Sequence, residues 1–346
     1  MIGRQWIITT DMGEEPVYLG IEIGGTKLQW IVGTGQDTSW LDRRLTSVDR
    51  HRQADGILEQ LEEITGSLIT AHPEIRRIGI GFGGPVDPKG GRVIRSHQID
   101  GWQNFPLAAW MEERFHRPAI LANDSDCAGL AEAMYGAGRG AMSVFYSNVG
   151  SGIGGALVIR GNLYTGSSGI ASEIGHLRPT PVEQSRSPSP DTPDVESMAS
   201  GWAITEYVRR RCELTPESAE VLEILKKVGG STDQIDTRKV VRCALEDRNP
   251  IAMDAMNQCT RVYGWALAQM ITLLSPEVVV IGGGVSLADR SLFLDPLREQ
   301  VSRNVFPALR GTYRLVPAAL GEEVVAAGSL ASVIQRENET ETSHSG

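Results

Sequence analysis

Ile120-Leu121-Ala122-Asn123-Asp124-Ser125-Asp126 is an apolar run that turns polar and passes into a helix. Pro118 to Ala122 reads as a buried strand, and from Ser125 onward Ala128, Leu130, Ala131, Ala133 and Met134 carry helical spacing. Asp124 therefore falls where the carboxyl end of a strand meets a helix N-terminus, the place where open α/β sheets bind ligands. The helix dipole favours an ionised carboxylate there, and such a carboxylate can accept a proton. For this fragment alone, a helix cap formed by Asp124 or Ser125 is the plainer reading. Glycine-rich turns before and after it in the chain bring the functional reading forward.

Working outward, the same small motif occurs in each half. Val17 to Ile23 is a strand, Gly24-Gly25 a turn and Lys27 to Val32 a second strand, with a third near Trp40 to Leu45. Ser143 to Val149 is a strand, Gly150-Ser151-Gly152-Ile153-Gly154 a turn and Ala156 to Ile159 a strand, with Leu163 starting a third. This is a duplication of architecture rather than of sequence. Between the two copies, Ile57, Leu58, Leu61, Ile64, Leu68 and Ile69 mark one face of an amphipathic helix, and Ile75 to Phe82 is a strand ending in Gly83-Gly84-Pro85. Trp102 to Phe115 starts as a loop and becomes a helix. After the second copy, helices are expected near Ala199 to Arg211, Glu217 to Val228, Arg238 to Glu246 and Pro250 to Leu274. Val278 to Ile281 is a strand running into Gly282-Gly283-Gly284, and Glu322 to Gln335 a closing helix. Thr180 to Asp194, rich in Pro, Ser and acidic residues, is a loop. Two domains follow: 17–122 with the closing helix at 322–336, and 123–321, with flexible tails at 1–16 and 338–346.

At 346 residues the chain can build two domains and one large cleft. A formal charge of −10 suits a soluble protein and argues against a broad nucleic-acid surface, leaving a local site for a small anion open. No apolar run is long enough to span a bilayer and no signal-peptide core stands at the N-terminus. Cys127, Cys212, Cys243 and Cys259 are scattered over helical segments, the pattern of reduced, buried thiols in a cytoplasm.

Gly150-x-Gly152-x-Gly154 invites a dinucleotide reading, but that fingerprint must open a helix and Ala156-Leu157-Val158-Ile159 is strand-like. The turn is a hairpin, and neither glycine turn has the Lys-Ser/Thr ending of a P-loop. A glycine hairpin still lets phosphate approach consecutive backbone N–H groups. Each turn alone is equally an ordinary tight hairpin.

Taken together, Gly20-Ile21-Glu22-Ile23-Gly24-Gly25-Thr26-Lys27, Gly83-Gly84-Pro85-Val86, Asn123-Asp124, the Gly150–Gly154 turn, Glu173-Ile174-Gly175-His176 and Ile281-Gly282-Gly283-Gly284-Val285 resemble the ROK family of repressors, open-reading-frame proteins and sugar kinases. The resemblance runs from about Val17 to Gln335. It implies the actin-like ATPase (ribonuclease H-like) α/β fold, with sugar and ATP meeting in an interdomain cleft. It implies Asp124 as the base that takes a proton from a sugar hydroxyl. Gly84, Asn123, Glu173, His176 and Glu196 would grip the sugar, with Gln98 where the family often has an Asn. Glu22, Gly24, Gly25, Thr26 and Lys27 resemble the first phosphate motif, Gly150, Ser151, Gly152 and Gly154 the second, and Gly282, Gly283 and Gly284 the adenosine site. Mg2+ would arrive with ATP. A cytoplasmic homodimer is what the family resemblance implies.

Four departures from the family pattern matter. Glu22 stands for an Asp, Ser151 for a Thr (with Asn148 just before it), and Gln98 for an Asn. The fourth is larger. The family usually follows its Gly-His pair with a Cys-x-Cys…Cys cluster that binds zinc together with the His, and Arg186 to Asp194 holds no cysteine. No structural zinc is expected, and the metal set is empty. A ring without that anchor needs another partner to fix its tautomer, and a hydrogen bond from the Thr180–Asp194 loop is expected to supply it.

The expected function is an ATP-dependent hexose kinase, glucokinase first. Fructose, mannose or an N-acetylhexosamine are alternative acceptors, polyphosphate an alternative donor, and a non-catalytic sugar-binding or regulatory protein an alternative role. With about sixteen residues ahead of the first strand, a DNA-binding winged helix is not expected, nor is nucleic acid as a partner.

Overall fold

A computed structural model describes residues 15–96, 99–179 and 192–344. The chain divides into two units, one reaching to Ala122 and resuming at Ser329, the other Asn123–Gly328.

The first unit is built on a five-stranded sheet. Its strands are β1 (Val17–Ile23), β2 (Lys27–Gly33), β3 (Asp42–Ser47), then, after helix α1 (Gln53–Ala71), β4 (Ile75–Phe82). A two-stranded ribbon, β5 (Val86–Asp87) and β6 (Arg92–Val93), and helix α2 (Leu107–Phe115) precede β7 (Ala119–Asn123). The order is β3-β2-β1-β4-β7, with β1 antiparallel to β2 and parallel to β4. Every residue of β1 is buried, as befits a central strand covered on both faces. Ile57, Leu61 and Leu68 of α1 are buried as their spacing predicts. The third strand is displaced from the expected Trp40–Leu45 because Trp40 lies over Gly33, where a Cβ would come within 3.0 Å of its ring. That leaves the charged Asp42-Arg43-Arg44 to form a sheet edge, a composition that discourages further pairing.

The second unit opens with α3 (Asp124–Met134) and repeats the sheet: β8 (Ser143–Val149), β9 (Ile153–Ile159) and β10 (Asn162–Tyr164). Helices α4 (Val195–Ala199), α5 (Gly201–Leu214), α6 (Ala219–Val228), α7 (Thr237–Glu246) and α8 (Pro250–Leu274) lead to β11 (Val278–Gly282), α9 (Leu294–Asn304) and β12 (Arg314–Pro317). The order is β10-β9-β8-β11-β12, with β8 antiparallel to β9 and parallel to β11. Third-second-first-fourth-fifth is thus the order of both sheets, so the duplication is one of topology. α8 begins where expected, since Pro250 sits at its first position and Asn249 caps it. The helix expected from Ala199 is split at Ser200, whose Oγ accepts the N–H of Ala203 and starts α5.

The last helix, α10 (Val324–His344), runs beyond the expected Gln335 and through most of the stretch expected to be a loose tail. The reason is visible in the chain: from Ser329 to Ser345 there is neither Gly nor Pro to stop a helix. No helix among the described residues is long and apolar enough to cross a membrane.

Candidate active site

The site residues fall into two groups, one in each unit. In the first unit, the β1–β2 hairpin is closed by Gly24 N–H donating to Lys27 O at 3.0 Å. Glu22, at the inner end of β1, faces Gln29 across the ladder, and its Oε2 lies 3.1 Å from Lys27 Nζ. Val48 N–H donates to Thr26 O, tethering the turn. Gly83 N–H donates to Ile23 O, which draws the two glycine turns of this unit together around a small recess lined by Ile23, Gly24, Gly25, Phe82, Gly83 and Trp102. Gly84 follows with its Cα between the Phe82 ring and Arg95 O, where a Cβ would approach both within 3.3 Å. Gln98 lies outside the described residues.

In the second unit, the junction of β7 and α3 carries Asn123 and Asp124. The helix cap is Asn123, not Asp124 or Ser125: its Oδ1 accepts the N–H of Ser125 at 2.8 Å. Asp124 Oδ1 accepts the same N–H at 2.8 Å, which leaves its second oxygen for other chemistry. Burial pushes the Asp124 carboxyl up to about 6; the Ser125 hydrogen bonds oppose this, and the charge of Glu173 adds to it. Asp126, in the same first turn, is pushed up to about 7 by burial and then by Glu173 and Asp124. Glu173 is raised too, by burial first, with His176 opposing and Glu196 adding. Asp124, Asp126 and Glu173 thus form one electrostatically linked set, all three raised above the usual carboxylate range.

The glycine turn joins the same set. In the β8–β9 ladder Asn148 faces Gly154 and Val149 faces Ile153, so the hairpin loop is Gly150-Ser151-Gly152. Ser125 Oγ donates to Asn148 Oδ1 at 2.9 Å, and a Cβ on Gly154 would lie 2.0 Å from that Oγ. Only glycine at 154 lets the hairpin sit directly against the start of α3. Gly282 pairs with Asn148 in register, and a Cβ on Gly283 (φ +85°) would lie 2.4 Å from Val149 O. The third glycine run therefore lies beside the second. Gly150 and Gly284 differ from these glycines: a Cβ at either meets nothing within 4 Å, so the space on that side of each Cα is open.

Glu196 Oε2 accepts the N–H of Ile153 at 2.7 Å, and Gly201 N–H donates to Gly150 O at 2.8 Å. α4 and the start of α5 thus hold both ends of the glycine loop. Gly175 in the 3-10 turn Ile174–His176 packs against Ile153 O, with 2.3 Å to a hypothetical Cβ. His176 Nδ1 lies 3.2 Å from Asp194 Oδ2, so Asp194, the last residue of the expected Thr180–Asp194 loop, supplies a partner for the ring, while 180–191 lie outside the described residues.

Zinc does not fit here. The residues between His176 and Glu196 include no cysteine, and the four cysteines of the chain are buried in α3, α5, α7 and α8. No group of three His, Cys, Asp or Glu among the described residues is arranged to hold a metal.

Asp126 and Asp194 join the site although neither is among the residues expected from sequence. Asp126 was recognisable as a second carboxylate in the first helical turn. Asp194 was recognisable from Asp194-Val195-Glu196-Ser197, the spacing of a capping box.

Comparison with known proteins adds a family and neighbours. The family model described as the ROK family matches residues 18–336. The glucokinase of Streptomyces coelicolor is 30% identical over 290 residues, 82% of this chain and 87% of that protein. A ROK hexokinase from Thermus thermophilus superposes with a TM-score of 0.75 at 28% identity, covering 93% of this chain and 99% of the other. A ROK family glucokinase from Streptomyces griseus, solved in complex with glucose and AMPPNP, superposes with a TM-score of 0.71 at 28% identity, covering 91% and 98%.

Proposed function

The chain belongs to the ROK family, and from that premise we propose that it is an ATP-dependent sugar kinase that phosphorylates a hexose hydroxyl, with glucose as the first acceptor to test. The observation that carries this reading is Asp124: a carboxyl held near pH 6 at a strand–helix junction, one residue from the Ser125 hydroxyl that lies against the Gly150–Gly154 hairpin. Likeness to a glucokinase in sequence, and to a structure solved with glucose and AMPPNP, supports both the acceptor and the donor.

In the reaction, Asp124 accepts the hydroxyl proton as the sugar oxygen bonds to the γ-phosphorus. The bond from that phosphorus to the bridging oxygen breaks, and ADP leaves with the electron pair. Asn123, Glu173, His176 and Glu196, with Gly84 and Gln98, are assigned to the sugar; carboxylates, amides and imidazole suit a polyol because each accepts or bridges hydroxyl hydrogens. Gly150 and Gly284, each with open space on the Cβ side of its Cα, are assigned to the nucleotide, as are Gly24, Gly25, Thr26 and Lys27. Mg2+, entering with ATP, supplies charge neutralisation on the transferring phosphoryl group. Positioning and electrostatics then supply most of the rate. The net charge of −10 supports a small-molecule partner over nucleic acid.

The testing experiment is ADP release from ATP and Mg2+ across glucose, fructose, mannose and N-acetylhexosamines, on chelator-treated protein. Glucose-dependent release is expected. Silence with every sugar in folded protein would overturn the kinase reading, and turnover with polyphosphate alone would move the donor.

Glu196 offers a second check. Glu196→Ala removes the acceptor for the Ile153 N–H, so the KM for ATP is expected to rise about tenfold along with that for sugar. Glu196→Gln retains an acceptor oxygen and should disturb the ATP KM far less. Steady-state kinetics with each substrate varied separates the two, and an unchanged ATP KM in Glu196→Ala would remove Glu196 from the phosphate turn.

A further inference from the structure

Asp194 uses both of its carboxylate oxygens. It is the N-cap of α4, and Oδ1 accepts the N–H of Ser197 at 2.9 Å while Ser197 Oγ accepts the N–H of Asp194 at 3.0 Å. That capping box fixes the carboxylate in place. Oδ2 then lies 3.2 Å from His176 Nδ1. An ionised carboxylate only accepts, and the Ser197 and His176 bonds, with burial opposing them, hold Asp194 below the usual carboxylate range. The ring nitrogen facing it must therefore carry the hydrogen. In the neutral ring, Nε2 is left as the acceptor, on a side chain that is 66% exposed while Asp194 is 24% exposed. His176 closes the 3-10 turn Ile174–His176 that Glu173 caps, so the oriented ring stands one turn from that carboxylate in the chain.

We propose that Asp194 is the positioning residue of His176: it fixes the Nδ1–H tautomer and turns Nε2 outward as an acceptor for a substrate hydroxyl, so that the site is organised without a metal. The proposal rests on the sugar-kinase reading for the identity of the hydroxyl, but not for the tautomer. It also explains why a chain with no thiolate near His176 can keep the ring in register. One short segment does both jobs, since α4 begins at the Asp194 cap and carries Glu196, which holds the glycine loop.

A bare capping role is the competing account, and two substitutions separate it from positioning. Asp194→Ser keeps a good N-cap but has no second oxygen to reach the ring. Asp194→Asn keeps the cap through its Oδ1, so its NH2 must face His176 Nδ1; donor would meet donor unless the ring gives up its Nδ1 hydrogen. Nitrogen NMR of imidazole-labelled, chelator-treated protein reads the tautomer directly, with the His176 signals assigned by their loss in His176→Gln.

Wild type is expected to show Nδ1–H with unprotonated Nε2, Asp194→Asn the opposite tautomer, and Asp194→Ser a mixture. The sugar KM should rise about tenfold in both Asp194 variants with kcat changing less, while Asp194→Ser melts close to wild type. Nε2–H in the wild type, an unchanged tautomer in Asp194→Asn, or an unchanged sugar KM in an active enzyme would each overturn the proposal. If no sugar is turned over at all, the kinase reading fails while the tautomer spectra still decide the role of Asp194.

Discussion

Asp124→Asn is expected to lower kcat by about 10²–10⁴-fold while leaving sugar affinity within a few-fold of wild type. The amide keeps the shape and the hydrogen bond from the Ser125 N–H but has no basicity for the sugar proton. The same carboxyl sets the pH dependence. Burial raises it to about 6, so it is mostly ionised at pH 7 and becomes protonated as pH falls through about 6. Activity should therefore drop on an acid limb near pH 6, well above the usual carboxylate range near 4. Glu173 contributes to that displacement, so Glu173→Gln should move the limb to lower pH, whatever it does to sugar binding. Because Asp126 and Glu173 are also raised, the limb belongs to the linked set and not to Asp124 alone. Rate against pH at saturating sugar is the measurement; a full kcat in Asp124→Asn would remove it as the base.

Glu132→Ala is expected to have the largest effect on stability of the substitutions considered. Glu132 is fully buried in α3, where Oε1 accepts the N–H groups of Ala319 and Leu320 at 2.8 and 2.9 Å and Oε2 accepts that of Ala137 at 2.7 Å. Alanine would leave three donors without this acceptor, at a cost of about 3–5 kcal/mol, or about 10 °C in Tm. Glutamine should fall between, since its oxygen can serve Ala319 and Leu320 while its NH2 is then turned toward the Ala137 N–H. Scanning calorimetry would show the series wild type, Gln, Ala in falling order, and an alanine variant melting with wild type would contradict this account of the clamp.

What the sequence made legible was set by local chemistry. The Asp124 junction was readable because an apolar strand, a short polar turn and a helical period follow one another without a gap. The duplicated hairpins were readable because glycine breaks a strand in a recognisable way, twice. Pro250 announced the start of α8 to the residue. Other features depended on partners distant in sequence. β12 reads weakly alone, and becomes a strand by pairing with β11. Asn123 took the cap that Asp124 and Ser125 also fitted, a choice decided by backbone geometry that composition does not record. The partner of His176 was expected from its loop, but which residue supplied it was not. Asp194 lies eighteen positions away and is placed by the cap it forms. Glu132 gave no sign of its clamp, because two of its three donors are nearly 190 residues downstream.

The four cysteines have a practical consequence. Each is buried within a helix, none is in a disulfide, and burial raises the thiols of Cys212, Cys243 and Cys259 away from the reactive thiolate form. Folded protein should thus present alkylating dyes with almost no background. Leu287, 85% exposed at the end of the 3-10 turn that follows Gly283, could then be exchanged for cysteine as a single labelling point beside the third glycine run. A fluorophore there would test the proposed nucleotide assignment in real time, a signal change on adding ATP being the expected result, with the native thiols left in place.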